Sequence, residues 1–299
     1  MAISLSSIAK TKHAMPPRIL IHGQEKSGKS TFFAGGTINT ITGQAQLPSA
    51  PKPIFIQTED GLRGLEAEAF PLATRYQDVV DALGALAQED HDYKTLVIDS
   101  ADWLERLIHQ QVIDTCTYDV KGVKTMESAH GGYGKAYSVA MSYWKSVLAG
   151  LDWLNSNKGM IIGIICHSVI SPYNDPSADQ PYDVLSLKLH QPKKGTGARD
   201  LLSEWADIIG YAEKRVMVST KKTVDGREIS RASAIKGTLN KLHLSGNAAY
   251  VAGNRYNLPD TIDLSWGAFE EALKQPTANQ QATSQPTAAN TDQPTKKAA

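Results

Sequence analysis

The most specific chemistry in this chain lies in one short run, Gly23-Gln24-Glu25-Lys26-Ser27-Gly28-Lys29-Ser30, which fits the spacing G-x-x-x-x-G-K-[ST]. The glycines let backbone N–H groups turn inward around a chain of phosphates. Lys29 is placed to reach the β- and γ-phosphates, and the Ser30 hydroxyl to ligate Mg²⁺. Gly23, Gln24, Glu25, Lys26, Ser27, Gly28, Lys29, Ser30 and the following Thr31 are therefore the candidate nucleotide contacts. The motif requires a strand before it and a helix after it. Arg18 to His22 is a short apolar run, and a helix is expected over 30–40. The competing reading, a Gly/Lys turn without ligand, has both flanks against it.

Three further runs end in groups that serve a bound triphosphate. Thr95-Leu96-Val97-Ile98-Asp99-Ser100 reads as a buried strand ending in an acid that holds the metal's water shell. Asp99 is equally placed to cap the next helix, although Ser100 can do that instead. Phe55-Ile56-Gln57-Thr58-Glu59-Asp60 ends in two carboxylates. Glu59 is the candidate that orients the attacking water, with Asp60 as the fallback. The alternative is an N-cap pair for a helix over 61–69. Met160 to Cys166 is followed by His167-Ser168, which makes His167 a candidate γ-phosphate contact or, on the plainer reading, a solvated strand-end histidine. Cys166 beside His167 lacks a second pair at ligand spacing, so a metal site there is disfavoured.

The elements that must position these residues alternate. Continuously apolar runs at 18–22, 53–57, 95–98 and 160–166 read as strands, and helical spacing marks 76–88, 101–114 and 136–154. In the second helix Trp103, Leu104, Leu107, Ile108 and Val112 are expected on one face. Apolar strands alternating with helices imply a parallel sheet covered on both sides. After Ser168 the texture changes. Pro, Gly and Asp are frequent over 171–197, and short alternating segments follow at 208–212, 215–220 and 228–235, with Asp225-Gly226 as a hairpin turn. This half is expected to be antiparallel and to continue the same sheet. The fold class is thus α/β, a mainly parallel sheet extended by antiparallel strands. The organisation expected is a lead-in over 1–17, one ATPase core over 18–274, and a disordered tail over 275–299 whose Gln, Thr, Ala, Asn and Pro cannot bury enough surface to order it.

At these residues the sequence resembles the RecA-like ATPases. Their phosphate loop reads G-P-E-S-S-G-K-T; Gly23, Glu25, Ser27, Gly28 and Lys29 match it, and Ser30 replaces the threonine. Leu96-Val97-Ile98-Asp99-Ser100 is similar to the strand that ends Val-Asp-Ser. Phe55-Ile56-x-x-Glu59 is similar to the strand ending in the catalytic glutamate, and His167 stands where the family usually has a glutamine leading into a DNA-binding loop. Within that group the length, together with Gly253-Asn254-Arg255-Tyr256-Asn257-Leu258-Pro259, looks most like the phage-encoded single-strand-annealing recombinases of the Sak type. The resemblance implies a RecA-like P-loop core, ATP with Mg²⁺, a ring or filament homo-oligomer, single-stranded DNA, and work beside a single-strand DNA-binding protein.

Composition refines the partner. The 299 residues carry 31 basic and 31 acidic side chains. That balance argues against a wholly basic nucleic-acid binder, yet residues 59–119 hold 14 acids against 4 bases, and 188–255 hold 13 bases against 6 acids. A basic block suits a phosphate backbone, or surface cations on ordinary strands, or a meeting with the acidic block of a neighbouring subunit. Lys193 and Lys194, in a Gly-bounded loop, and Arg199 and Arg255 are candidates for DNA contact or for a finger reaching a neighbour's γ-phosphate. Tyr133 and Lys135, in a Gly-rich loop, offer stacking and a cation. Two cysteines fit a reducing cytosol. No apolar run reaches the ~20 residues that span a bilayer, so a cytoplasmic protein with no membrane partner is expected, in the host cell if phage-encoded. A nucleotide kinase is disfavoured by the lack of an arginine-rich lid, and a GTPase because Asn240-Lys241-Leu242-His243 lacks the aspartate that reads guanine. A nucleotide-dependent scaffold with little turnover stays open.

Overall fold

A computed structural model describes residues 15–40, 43–117, 125–193, 195–214, 216–222, 228–234 and 239–274. The expected tail, most of the expected lead-in, Lys194 and the Asp225-Gly226 turn lie outside them. In chain order, β1 (Arg18–Gly23) leads through the phosphate loop into α1 (Lys29–Ala34), then into a hairpin of β2 (Gly36–Thr40) and β3 (Gly43–Leu47). Next come β4 (Pro53–Gln57), β5 (Glu68–Ala69), α2 (Tyr76–Gln88), β6 (Thr95–Asp99), α3 (Ala101–Asp114), α4 (Lys135–Lys158) and β7 (Ile161–Tyr173). The rest is β8 (Tyr182–Leu187), α5 (Ala198–Trp205), β9 (Ile208–Glu213), β10 (Val216–Lys222), β11 (Glu228–Ala234), β12 (Lys241–His243), β13 (Gly253–Asn254), β14 (Thr261–Asp263) and α6 (Trp266–Lys274).

The main sheet runs β14-β12-β9-β1-β7-β6-β4-β5, and β5 through β9 in that order are mutually parallel. Its strands are apolar on both faces because both faces are covered. Leu20, Ile56, Ile98, Ile162 and Ile164 pack on one side against α2, α3, α4 and α5. Ile19, Ile21, Phe55, Val97 and Ile165 face the other way, onto Phe32 and Phe33 of α1 and onto Trp266 and Phe269 of α6. Gly163 fits this second layer, since a Cβ there would stand 2.7 Å from the Phe33 ring.

The strand order brings the functional ends together. β7 lies between β1 and β6, so Gly23 pairs with His167, and Asp99 pairs with Ile165 on one side and Gln57 on the other. All four strands therefore deliver their carboxyl ends to one edge, where ligands of open α/β sheets sit.

Several expectations need correction. The helix expected over 30–40 stops at Ala34, because Gly35 and Gly36 take φ of 68° and 111° and the β-branched run after them forms a strand. No helix forms over 61–69. Trp103 points outward rather than joining Leu104, Ile108 and Val112 in the core. The segment read as loop-rich after Ser168 begins as a hairpin, in which β7 runs on through Tyr173 and pairs antiparallel with β8. Pro172 is accommodated at this edge, where no further strand needs its missing N–H. The second half is antiparallel only in part: β9 is parallel to β1, β12 to β14 continue the sheet antiparallel, and β10 pairs with β11 in a separate ribbon.

Candidate functional site

A cleft of about 570 Å³ opens at the carboxyl edge, lined by residues 25–31 of the phosphate loop and α1 together with Glu59, Asp60, Arg63, Asp99 and His167. Thus Glu59, Lys29, His167, Ser30 and Asp99, drawn from four strand ends, share one cavity.

The loop's shape follows from its residues. Gly28 sits at φ 98°, a left-handed conformation that few side chains tolerate. A Cβ on Gly23 would lie 2.6 Å from the carbonyl oxygen of Ala212. Asn240, just before β12, donates from Nδ2 to the Ser27 carbonyl at 2.7 Å and braces the loop from behind. Lys29 is buried and folds back, donating from Nζ to the carbonyls of Gly23 (3.0 Å) and Gln24 (2.8 Å). Burial pushes its ammonium below the ordinary lysine value, while Asp99 and Glu59 pull it back up. The Ser27 hydroxyl is buried with no hydrogen-bond partner among the described residues. A cation folded onto loop carbonyls and an unpaired buried hydroxyl are groups that a phosphate chain would satisfy. The loop therefore fits a nucleotide.

The metal-side pair is equally close. Ser30 Oγ donates to Asp99 Oδ2 at 2.6 Å. Burial raises the Asp99 carboxyl above the usual range, against the Ser30 hydrogen bond and the Lys29 charge that lower it. Among the described residues no group of three or more His, Cys, Asp or Glu forms a protein-only cage. A hydroxyl and one carboxylate suffice for Mg²⁺ that is also held by phosphates. Thr58 ties β4 to β6 here: its hydroxyl donates to the Ser100 carbonyl at 2.6 Å and accepts the Ser100 N–H at 2.8 Å.

Glu59 and His167 face each other, with Oε1 and Nε2 3.9 Å apart. Burial raises Glu59, and the His167 charge offsets part of this. On its other side the His167 ring meets Asp102, which sequence reasoning missed. Asp102 stands on the first turn of α3, with both carboxylate oxygens 3.1 Å from His167 Nδ1, and Oδ1 also accepts the His167 backbone N–H at 3.1 Å. Asp102 holds His167 above its ordinary value, with burial opposing. Burial alone would raise Asp102 as well, but its bonds to His167 outweigh that and leave it lowered. The spacing of three residues from Asp99 on a helix start was the available signal.

Sequence reasoning also missed His22 and Glu105. His22 is fully buried, and its Nε2 donates to the Val251 carbonyl at 2.6 Å. Its Nδ1 must then accept the Ser168 hydroxyl at 2.8 Å, which ties the strand before the phosphate loop to the β7–β8 hairpin. Glu105 accepts the His190 N–H at 2.9 Å and anchors the start of the 190–197 loop; burial pushes its carboxyl up to about 7.

The remaining candidates do not gather in the cleft. Tyr133 is 99% exposed, beside the exposed Lys135 that begins α4. Lys193 is exposed in its loop. Arg199 is half-buried on α5 and donates to the Leu189 carbonyl at 3.4 Å. Arg255 pairs with Asp207 at 2.8 Å; Asp207 precedes β9, at the sheet edge opposite the phosphate loop. Among the described residues no helix is long and apolar enough to cross a membrane.

Among solved structures the chain is similar to the RadB recombinase, at 14% identity and a TM-score of 0.35 over 75% of this chain and 89% of that one. No curated protein matches. A model of the AAA domain family matches residues 15–256. With a phosphate loop at the carboxyl edge of a mainly parallel sheet and that match over most of its length, the chain belongs to the AAA domain family and is a P-loop ATPase.

Proposed function

We propose that this protein is a phage-encoded recombination ATPase of the Sak type, which hydrolyses ATP with Mg²⁺, binds single-stranded DNA and promotes annealing or strand pairing as a ring or filament. The observation that carries the ATPase half is the convergence of Lys29, Ser30, Asp99, Glu59 and His167 on one cleft. Lys29 takes the β- and γ-phosphates, and Ser30 and Asp99 hold the Mg²⁺ side. Mg²⁺ held there would supply charge neutralisation for the transferred phosphoryl group. Glu59 orients the attacking water, its carboxyl kept beside His167, and His167 contacts the γ-phosphate side.

The DNA half is supported by the Sak-type resemblance and by Tyr133, a fully exposed aromatic in a glycine-rich loop next to Lys135. A core over 18–274 and a single-strand DNA-binding protein as a further partner belong to the same reading. The test is ATP hydrolysis with and without single-stranded DNA, with Lys29→Ala as control. Stimulation in the wild type alone is expected, with binding that weakens steeply as salt rises. No binding at low salt would remove the DNA half.

One observation favours a second reading, a nucleotide-dependent scaffold on a non-DNA partner. The β7–β8 hairpin that follows His167 carries Asp175, Asp179 and Asp183 and exposes Ile170 and Tyr173. Such a surface suits a protein better than a phosphate backbone. Wild type and Glu59→Gln sharing the same negligible hydrolysis, with ATP bound by both, would favour it.

A further inference from the structure

We propose that Asp102 is a positioning residue for hydrolysis, fixing the His167 ring so that Nε2 faces Glu59 and the cleft. This rests on the reading of His167 as a γ-phosphate contact.

The geometry leaves the ring one arrangement. A carboxylate only accepts hydrogen bonds, so His167 Nδ1 must carry the proton that Asp102 receives at 3.1 Å. The same carboxylate takes the His167 backbone N–H, so ring and main chain are held by one group. Nε2 is thereby turned to the opposite side, 3.9 Å from Glu59. An acid on a first helical turn is ordinarily there for the helix dipole, and then it sits in water. Asp102 does not, being 4% exposed, with Asp99, Glu59 and Lys29 as charged neighbours. Burying a further carboxylate beside two others is costly unless it is paired, and its partner is His167. A glutamine at 167 would present its own amide donor without needing a charged group behind it, so the demand for Asp102 follows from histidine at this position.

Two measurements on the full chain test this. In unliganded protein labelled with ¹⁵N-histidine, the His167 Nδ1–H should give a hydrogen-bonded proton signal that Asp102→Ala abolishes; its survival would overturn the proposal. In hydrolysis, Asp102→Ala should lower kcat about 10- to 100-fold, the usual cost of losing an orienting partner, with KM within about twofold. In a His167→Gln background the same substitution should change kcat by less than about twofold, because coupled residues are non-additive. Equal losses in both backgrounds would show that Asp102 serves α3 instead and would overturn the proposal. Asp102→Leu keeps the side chain's approximate size without any acceptor and carries the test if the alanine variant does not fold. If wild type and Lys29→Ala hydrolyse at the same negligible rate, the ATPase reading fails while the proton signal still decides the positioning.

Discussion

His22 sits one residue before the phosphate loop with no exposure, and its neutral ring already satisfies both neighbours. Burial pushes its pKa down from 6.5 to about 4, and the charge of Lys29 adds to the effect. Between those two values the unfolded chain binds a proton that the folded chain refuses, so stability falls as pH drops through 6.5 and stops falling near 4. At about 1.4 kcal/mol per pH unit the full window is worth about 3 kcal/mol, of which about 2 kcal/mol is lost between pH 7 and pH 5. His22→Gln keeps a donor near the Val251 carbonyl and removes the titrating group. Urea unfolding of both proteins at pH 7, 6 and 5 should show the wild type losing about 2 kcal/mol more than the variant, equivalent to about 4–8 °C in a thermal midpoint for a domain of this size. The other histidines are common to both proteins, including His109, which burial also pushes to about 4, so they cancel in the difference. Parallel stability curves for the two proteins over this range would refute a neutral, desolvated His22.

Glu59→Gln should lower hydrolysis by about 100-fold or more while a fluorescent ATP analogue still binds, because an amide cannot take the water's proton. Gly23→Ala and Gly163→Ala each drive a methyl to within 2.7 Å of a neighbour and should each cost about 1–3 kcal/mol in unfolding assays. Only Gly23→Ala should weaken ATP binding, since Gly163 packs on Phe33, away from the loop. Lys193→Ala should reduce the slope of log affinity for single-stranded DNA against log salt by about 0.7. Arg255→Ala should leave that slope unchanged, because its guanidinium is committed to Asp207.

The sequence made local chemistry legible and long-range pairing far less so. The phosphate loop, Asp99 and Glu59 were visible because each stands at the end of a short apolar run, and α2 and α3 were bounded to the residue because their apolar stripes keep helical spacing. The helix after the loop was overextended because side-chain pattern does not report the positive φ of Gly35 and Gly36. Asp102 was hidden because its meaning depends on His167, 65 residues later, and the two meet only once β7 is inserted beside β6. The β7–β8 pairing and the parallel setting of β9 are likewise matters of partner choice, which periodicity within one strand cannot express.

Charge shows the same limit, and it bears on where a bound strand would run. The acidic block over 59–119 spends much of its charge internally: Asp99 on Ser30, Asp102 on His167, Glu105 on the His190 N–H, Asp78 on the start of α2, and Asp92 on Lys52. The basic block does likewise, with Lys241 on Asp263, Arg255 on Asp207, and Arg199 half-buried. A net charge summed along sequence therefore overstates the field that either block offers a partner. The hairpin after His167 has three aspartates against Lys188. For the proposed DNA strand this disfavours a path along the hairpin and favours one over the Tyr133–Lys135 loop and Lys193. Both of those loops lie near the start of α4, where Tyr137 stacks on His190 at 3.8 Å. That contact joins the aromatic loop to the basic one, and Glu105 holds the basic one to α3, the helix that also carries Asp102. Direct contacts thus run from His167 through Asp102 and Glu105 of α3 to the two loops with exposed aromatic and cationic groups, without passing through the acidic hairpin.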